Sequence, residues 1–216
     1  MLVSVVIINY NTFRITCDCI DSVQQNNLGV PYEIVLVDNA SPNDNPDEIL
    51  VRFTNIRLIK SPVNGGFAAG NNLGIAASAG DIVLLLNSDT ILIEDSISMA
   101  AQKLNSNEMM GAIGVRLTYT DGRVQHTARR FRSLRNELLD LARPILKFMP
   151  YRKRSQLMLN QYFYGDYDTW CDWVSGAFMM FRRQVLAQLP GGKLDERFFM
   201  YGEDQLWCYQ FTKLGL

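Results

Sequence analysis

Short apolar runs punctuate the first 90 residues. Leu2 to Ile8, Glu33 to Val37, Ile56 to Ile59 and Asp81 to Leu86 are built mostly from Val, Ile and Leu. Unbroken runs of this length read as strands buried on both faces. The segments between them have helical period. Thr12 to Gln25 places Ile15, Cys19, Ile20 and Val23 on one face, with Thr12 as the N-cap. A short helix is expected from Pro46 to Phe53, and another opens at Asn64-Gly65-Gly66 and runs to about Ala79. Strand and helix in strict alternation predict an α/β fold with a parallel sheet and helices on its faces.

The second half is less regular. Glu94 to Leu104 reads as a helix, Gly111 to Tyr119 as a strand, and Asp121-Gly122 as a turn. Leu134 to Met149 predicts an amphipathic helix with Leu138, Leu141, Ile145 and Phe148 on one stripe, kinked at Pro144. Trp170 to Phe181 is aromatic and apolar, broken by Ser175-Gly176. Gly202 to Leu214 predicts a last helix.

The chemistry sits where the runs stop. The first strand ends in Asn9-Tyr10-Asn11, the second in Asp38, and the fourth in Asn87-Ser88-Asp89. In a parallel sheet all three tips share one rim, and ligands collect outside the carboxyl ends of such strands. A carboxylate such as Asp89 on a rigid strand end can hold a divalent cation against phosphates. Asn, Ser and Asp are also ordinary turn residues. Asp38 could accept the N3–H of uracil or thymine, or simply close an Asx-turn with Ser41. The run from Gly65 to Gly74 lacks both the GxGxxG spacing and the phosphate-loop lysine. It offers close backbone approach and a helix N-terminus suited to a diphosphate, and the same spacing would let a helix pack tightly on the sheet. The adjacent acids Glu203-Asp204 follow the aromatic run Phe198-Phe199-Met200-Tyr201. They complement a helix N-terminus, or supply a general base whose basicity an apolar wall raises.

Composition narrows the partners. A chain of 216 residues with formal net charge −1 fits one domain and gives no global reason to expect nucleic acid. No apolar run approaches the roughly 18 residues of a transmembrane helix, and no signal peptide is visible. Cys17, Cys19, Cys171 and Cys208 lack paired spacing and have only His126 for company. They read as reduced thiols of a cytosolic protein and not as a zinc site. Charge is uneven, however. Arg123, Arg129, Arg130, Arg132, Arg135, Arg143, Lys147, Arg152, Lys153 and Arg154 crowd the segment 123–154, opposed there only by Glu137 and Asp140. Such a cluster attracts phosphates or an anionic membrane surface. The amphipathic helix within it is either packed on the sheet as a lid, or a surface helix that meets anionic lipid and guides a lipid-diphosphate acceptor.

Taken in order, these segments resemble the inverting glycosyltransferases of family 2, which have the GT-A fold. Val3 to Asn11 resembles the family's opening strand and Val37-Asp38-Asn39-Ala40-Ser41 its base-binding strand end. Asn64-Gly65-Gly66-Phe67-Ala68 resembles the diphosphate-proximal helix start. Asn87-Ser88-Asp89 stands at the D-x-D motif, Trp173 to Ala177 at the acceptor-side segment, and Asp195 to Asp204 at the segment ending in the catalytic acid pair. Gly122-Arg123 through Phe131, followed by a helix, is similar to the rhamnosyltransferase-like branch.

The resemblance implies a GT-A, Rossmann-like, mainly parallel sheet in a single domain 1–216, with a nucleotide-sugar half (1–90) and an acceptor half (91–216). It implies transfer from a dTDP- or UDP-sugar, dTDP-rhamnose among them, to a glycan or polyprenyl-diphosphate-linked acceptor in bacterial cell-surface polysaccharide synthesis. The implied donor contacts are Asn9, Tyr10, Asn11, Asp38, Asn64, Gly65, Gly66, Asn87 and Asp89. The implied acceptor contacts are Trp173, Ser175 and Gly176, and Asp204 is the base with Glu203 beside it. Asn87 replaces the first D-x-D carboxylate and would face the ribose, which leaves Asp89 to hold Mn²⁺ or Mg²⁺. Family members continue past the acid-pair helix, so the acceptor half is expected to be incomplete at Leu216. The expected location is the cytoplasm, peripheral at the inner face of the membrane. A non-catalytic sugar-nucleotide or glycan-binding protein derived from such an enzyme is the alternative. A nucleotidyltransferase would need a glycine-rich loop after the first strand, where Asn9-Tyr10-Asn11-Thr12 has none.

Overall fold

A computed structural model of the chain describes residues 1–26, 29–159 and 162–216. The predicted alternation is present: β1 (Val3–Asn9), α1 (Phe13–Asn26), β2 (Tyr32–Asp38), α2 (Asp47–Arg52), β3 (Ile56–Lys60), α3 (Gly66–Ala76), β4 (Ile82–Asn87) and α4 (Ser96–Asn105). Three two-residue strands follow, β5 (Leu117–Thr118), β6 (Val124–Gln125) and β7 (Ala128–Arg129), then α5 (Leu134–Leu141), α6 (Arg143–Leu146) and α7 (Tyr151–Leu157). The chain returns through β8 (Trp173–Val174) and β9 (Phe178–Arg182) to α8 (Glu203–Lys213).

The central sheet runs β3-β2-β1-β4-β9. Its first four strands are parallel and β9 is antiparallel to β4. Alternate residues of each inner strand feed two cores. Val3, Val5 and Ile7 of β1 join Leu84 and Leu86 of β4 under α1 and α4. Val6, Val83 and Leu85 face the other way, toward Ala68 and Ile75 of α3 and Trp207 and Phe211 of α8. Burial on both faces is why these strands read as continuous apolar runs.

Four details differ from expectation. Ile15 is exposed, and α1 buries Thr16, Cys17, Cys19, Ile20 and Val23 instead. Thr12 precedes α1, but its hydroxyl turns back to the Asn9 Oδ1, and the Phe13 N–H donates to Asp44 Oδ2 at 2.8 Å. Gly111 to Tyr119 is not one strand. Ile113 bridges Met180 and only Leu117–Thr118 pairs onward, because Gly111 and Gly114 offer no side chains to hold a ladder. The predicted helix 134–149 is not kinked at Pro144 but interrupted at Ala142. Pro144 cannot donate into the preceding turn, so it sits in the first turn of a new helix, where a missing N–H is tolerated.

The stripe on these two helices faces outward. Leu141 and Phe148 are 80% and 91% exposed, and Leu134, Leu138 and Ile145 are exposed beside them. The reading of this segment as a helix packed against the sheet therefore does not hold. The four cysteines are free thiols, and burial pushes Cys19 and Cys208 up to about 12.

Candidate functional site

The parallel register sets Asn9 opposite Asp38 and Ile8 opposite Asn87, so the polar tips of three adjacent strands form one rim. Asn9 is fully buried with its amide saturated. Its Nδ2 donates to Asp38 Oδ1 at 2.9 Å and to Ser41 Oγ at 3.1 Å, and its Oδ1 accepts from Thr12 and Thr16. Asn9 thus braces Asp38 and has no free group to offer a ligand. The Ser41 N–H donates to the other Asp38 oxygen at 3.1 Å, so the Asx-turn is present. Two acceptor bonds leave lone pairs on that carboxylate. Tyr10 is exposed, and Asn11 is pinned by its N–H to Ser41 Oγ.

Among the described residues, three non-glycine residues have positive φ: Asn11 at 54°, Ala40 at 60° and Tyr201 at 69°. All lie in loops that carry predicted site residues. Left-handed backbone costs an L-residue energy and persists where surrounding contacts enforce it.

The glycine turn comes to the same rim through Asn39, a buried side chain within the segment 37–41 that was not among the expected site residues. Its Nδ2 donates to Asn64 Oδ1 at 2.8 Å and to the Gly66 carbonyl at 3.2 Å. Only its place next to Asp38 could have marked it. Gly66 has φ +83°, and a Cβ there would stand 2.3 Å from the Phe199 carbonyl oxygen. The N–H of Gly65 is taken by Asn39, that of Gly66 by Asn64, and that of Phe67 by the Phe199 carbonyl at 3.0 Å. The start of α3 therefore brings close backbone approach and the positive end of its dipole, while its first donors are held by protein. Gly70 and Gly74 have the other predicted role: they lie against Ile8 and Val6, where a side chain would hold the helix off the sheet.

The tip of β4 connects to the acid pair through two residues. The Asn87 N–H donates to the Ala177 carbonyl at 3.1 Å, and the adjacent Gly176 N–H donates to Asp204 Oδ2 at 3.2 Å. A Cβ on Gly176 would lie 3.1 Å from the Phe67 ring and 3.7 Å from the Asp204 Cβ, so α3 and α8 converge there. Ser175 is held by its N–H to the Thr127 carbonyl. Trp173 donates from Nε1 to the Arg130 carbonyl, and the Arg129 guanidinium lies 4.9 Å from its ring centroid.

The two acids differ. Glu203 is 6% exposed, and its Oε2 has no hydrogen-bond partner among the described residues. Burial raises its pKa above the usual carboxylate range, and the Asp204 charge adds to this. Asp204 is better solvated and accepts from Gln205 N and Gly176 N.

For a cation, no cluster of three His, Cys, Asp or Glu side chains exists among the described residues. Asp89 is exposed at the rim and makes no side-chain hydrogen bond or ion pair among the described residues. One free carboxylate suits a hard ion that takes its other ligands from a diphosphate and water.

The fold is that of the GT-A glycosyltransferases. The fold matches the mannosyltransferase PcManGT from Pyrobaculum calidifontis, solved with GDP-Man and Mn2+, at a TM-score of 0.65 with 15% identity, over 99% of this chain and 52% of that one. It matches S. aureus TarS 1-349 at 0.63 with 17% identity, over 98% and 55%. The chain belongs to glycosyltransferase family 2: the sequence model described as "Glycosyl transferase family 2" matches residues 4–189. Among relatives, the N-acetylglucosaminyl-diphospho-decaprenol L-rhamnosyltransferase of Mycobacterium tuberculosis is 28% identical over 81% of this chain and 59% of its own length. The chain thus spans little more than half of the proteins it matches here.

Proposed function

We propose that this protein is an inverting glycosyltransferase that moves a sugar from a dTDP- or UDP-sugar to a glycan or polyprenyl-diphosphate-linked acceptor in cell-surface polysaccharide synthesis. One observation carries the reading. Asp38, the glycine turn and the Asn87–Asp89 tip share a rim, and Gly176-Ala177 ties that rim by hydrogen bonds to Asp204. A donor on the rim would have its anomeric carbon beside a fixed carboxylate, which is the arrangement an in-line displacement needs.

In this reading Asp38, held by Asn9 and Ser41, accepts the N3–H of the pyrimidine. Tyr10, Asn11 and Asn64 line the nucleoside side, Gly65 and Gly66 admit the diphosphate, and Asn87 hydrogen-bonds a ribose hydroxyl. Asp204 takes the proton from the acceptor hydroxyl as that oxygen attacks the anomeric carbon. The bond to the nucleoside diphosphate breaks on the opposite face, with inversion. Asp89 would hold Mn²⁺ or Mg²⁺, which when bound neutralises charge on the leaving diphosphate. Trp173, Ser175 and Gly176 border the acceptor. Glu203 is buried beside the base with one carboxyl oxygen left for a ligand. Residues 1–90 form the donor half and 91–216 the acceptor half.

The outward stripe of α5 and α6 supports a peripheral membrane role at the cytoplasmic face. Leu138, Leu141, Ile145 and Phe148 share a short segment with Arg135, Arg143 and Lys147. Apolar insertion flanked by cations is the pattern of an interfacial helix on anionic lipid. No helix among the described residues is long and apolar enough to cross a membrane.

A thermal-shift panel of UDP-, dTDP- and GDP-sugars with and without Mn²⁺ tests the donor reading. Stabilisation by UDP- or dTDP-sugars that grows with Mn²⁺ is expected. Stabilisation by GDP-sugars alone would overturn the role of Asp38. Asp204→Asn should abolish transfer while donor binding persists, and surviving turnover would remove Asp204 as the base. A non-catalytic binder would show affinity in the panel and no turnover in the unsubstituted chain.

A further inference from the structure

Beside Asp204 lies a cavity of about 720 Å³ that the donor rim does not use. None of Asp38, Asn64, Gly65, Gly66, Asn87 and Asp89 lines it. Its walls come from β7 and the loop after it, from α5 and α6, from Trp173 and Ser175, and from the start of α8 with both acids. It therefore opens onto the proposed base from the acceptor half.

Its charges are not all compensated. Of the four lining arginines, Arg130 pairs with Asp172 at 3.0 Å and Arg143 with Asp140 at 3.0 Å. Arg129 has no carboxylate partner among the described residues: its Nε donates to the His126 carbonyl and its guanidinium lies over the Trp173 ring. Arg132 is exposed and makes no hydrogen bond or ion pair among the described residues. Against these two guanidiniums stand the acid pair and Glu137, which makes no ion pair among the described residues. Within the pair, Glu203 is buried with an unpartnered oxygen, the state of a carboxyl that is more readily neutral and can donate a hydrogen bond to a ligand oxygen. Two unpaired guanidiniums and a buried carboxyl without a partner are unmet demands on one cavity. A group with several anionic oxygens would meet them, because guanidinium binds phosphate oxygens in a planar fork.

The cavity's position gives the rest of the ligand. α5 and α6 turn Asn136, Leu139 and Arg143 into the cavity and Leu138, Leu141 and Ile145 outward. One pair of short helices thus walls the chamber that holds the unpaired Arg129 and Arg132 and carries an apolar stripe on its outer side. A ligand with an anionic head and a hydrocarbon tail matches both surfaces at once.

We propose that this cavity is the acceptor subsite for the diphosphate of a polyprenyl-diphosphate-linked sugar, with Arg129 and Arg132 as its phosphate-binding residues. The inference rests on the transferase reading above and adds the place where the acceptor's diphosphate sits. The diphosphate bound there sets the acceptor sugar within reach of Asp204, while the lipid tail leaves along the apolar stripe.

The test uses the full chain and geranyl diphosphate, a soluble isoprenoid diphosphate that lacks the sugar, measured by isothermal titration calorimetry without divalent cation. Arg132→Ala is the first variant, since an exposed side chain with no partner can be removed without disturbing the fold. Arg129→Gln is the second. Each is expected to weaken geranyl diphosphate binding about tenfold, the size of one lost charge-assisted pair, and to leave the nucleotide-sugar thermal shift unchanged. Saturating dTDP or UDP should not displace the probe. Binding that both variants leave intact, displacement by the nucleotides, or no binding to the unsubstituted chain would each overturn the proposal. Failure of the transferase reading registers separately, as absence of stabilisation by every nucleotide sugar in the panel.

Discussion

The Gly176 N–H donates to the Asp204 carboxylate at 3.2 Å, while the next residue's carbonyl accepts from Asn87 at the tip of β4. A backbone hinge of two residues thus sets the distance between the donor rim and the proposed base. Gly176→Ala would set a methyl group 3.1 Å from the Phe67 ring, closer than ordinary contact, so Phe67 or the Gly176 backbone that holds Asp204 must shift. A displacement of this kind near the reacting atoms is expected to lower kcat by about tenfold to about a hundredfold. Donor affinity in the thermal-shift panel should stay close to that of the unsubstituted chain. An unchanged kcat would show that the convergence at Gly176 does not position the base.

Glu203 should make stability depend on pH. Burial raises its folded-state pKa above the unfolded carboxylate value of about 4.3. Above that value the unfolded chain releases a proton that the native state still holds, so stability from this group is full below about pH 4.3 and is lost as pH rises through the folded pKa. Glu203→Gln is therefore expected to unfold with a flatter pH dependence above about pH 4.3, and to be at least as stable as the unsubstituted chain once the pH has passed the raised folded-state pKa. Thermal unfolding across that range checks this; an undiminished slope would assign the dependence to another group.

Gly66 is a close-approach glycine. Its φ of +83° and the 2.3 Å gap to the Phe199 carbonyl leave no room for a methyl group. Gly66→Ala should cost about 1–3 kcal/mol for the strained backbone, with further loss as the Phe67–Phe199 hydrogen bond opens. The melting temperature should fall and nucleotide-sugar stabilisation should shrink with it. Gly122, which also has positive φ but open space around it, is the control: Gly122→Ala should leave donor binding unaffected.

The outward stripe predicts salt-sensitive binding to lipid. Sedimentation with vesicles containing anionic lipid should bring down the unsubstituted chain at low salt and release it at high salt. The double variant Leu141→Glu with Phe148→Glu should stay in solution. Its melting temperature should not move, because both side chains are already exposed. No sedimentation of the unsubstituted chain removes the membrane reading.

Local chemistry made a good deal of this protein legible. Unbroken Val, Ile and Leu runs mark strands buried on both faces, and a parallel sheet must then gather their polar ends on one rim. Asn9, Asp38 and Asn87 accordingly stand side by side. The residue order also carried the family, since the segments that resemble it are short, ordered and contiguous. Less regular stretches were harder to read. A strand from Gly111 to Tyr119 was predicted from residue type, but pairing depends on a partner elsewhere in the chain, and the glycines left only a bridge and a hairpin.

What only the tertiary structure decided is how side chains that are distant in sequence share their groups. Asn9 looks like a ligand residue by its place at a strand tip, yet Asp38, Ser41, Thr12 and Thr16 use all its hydrogen-bonding capacity. Asn39 looked ordinary and holds the glycine turn to the rim. The stripe from Leu134 to Phe148 has the same pattern whether it faces a core or a solvent, because periodicity fixes which residues share a face and not what that face meets. Likewise, the arginines of 129–143 are a uniform basic run in sequence. Arg143 pairs locally with Asp140 three residues before it, but only packing pairs Arg130 with the distant Asp172 and leaves Arg129 and Arg132 without a carboxylate among the described residues, because such pairing depends on distances that chain order does not set.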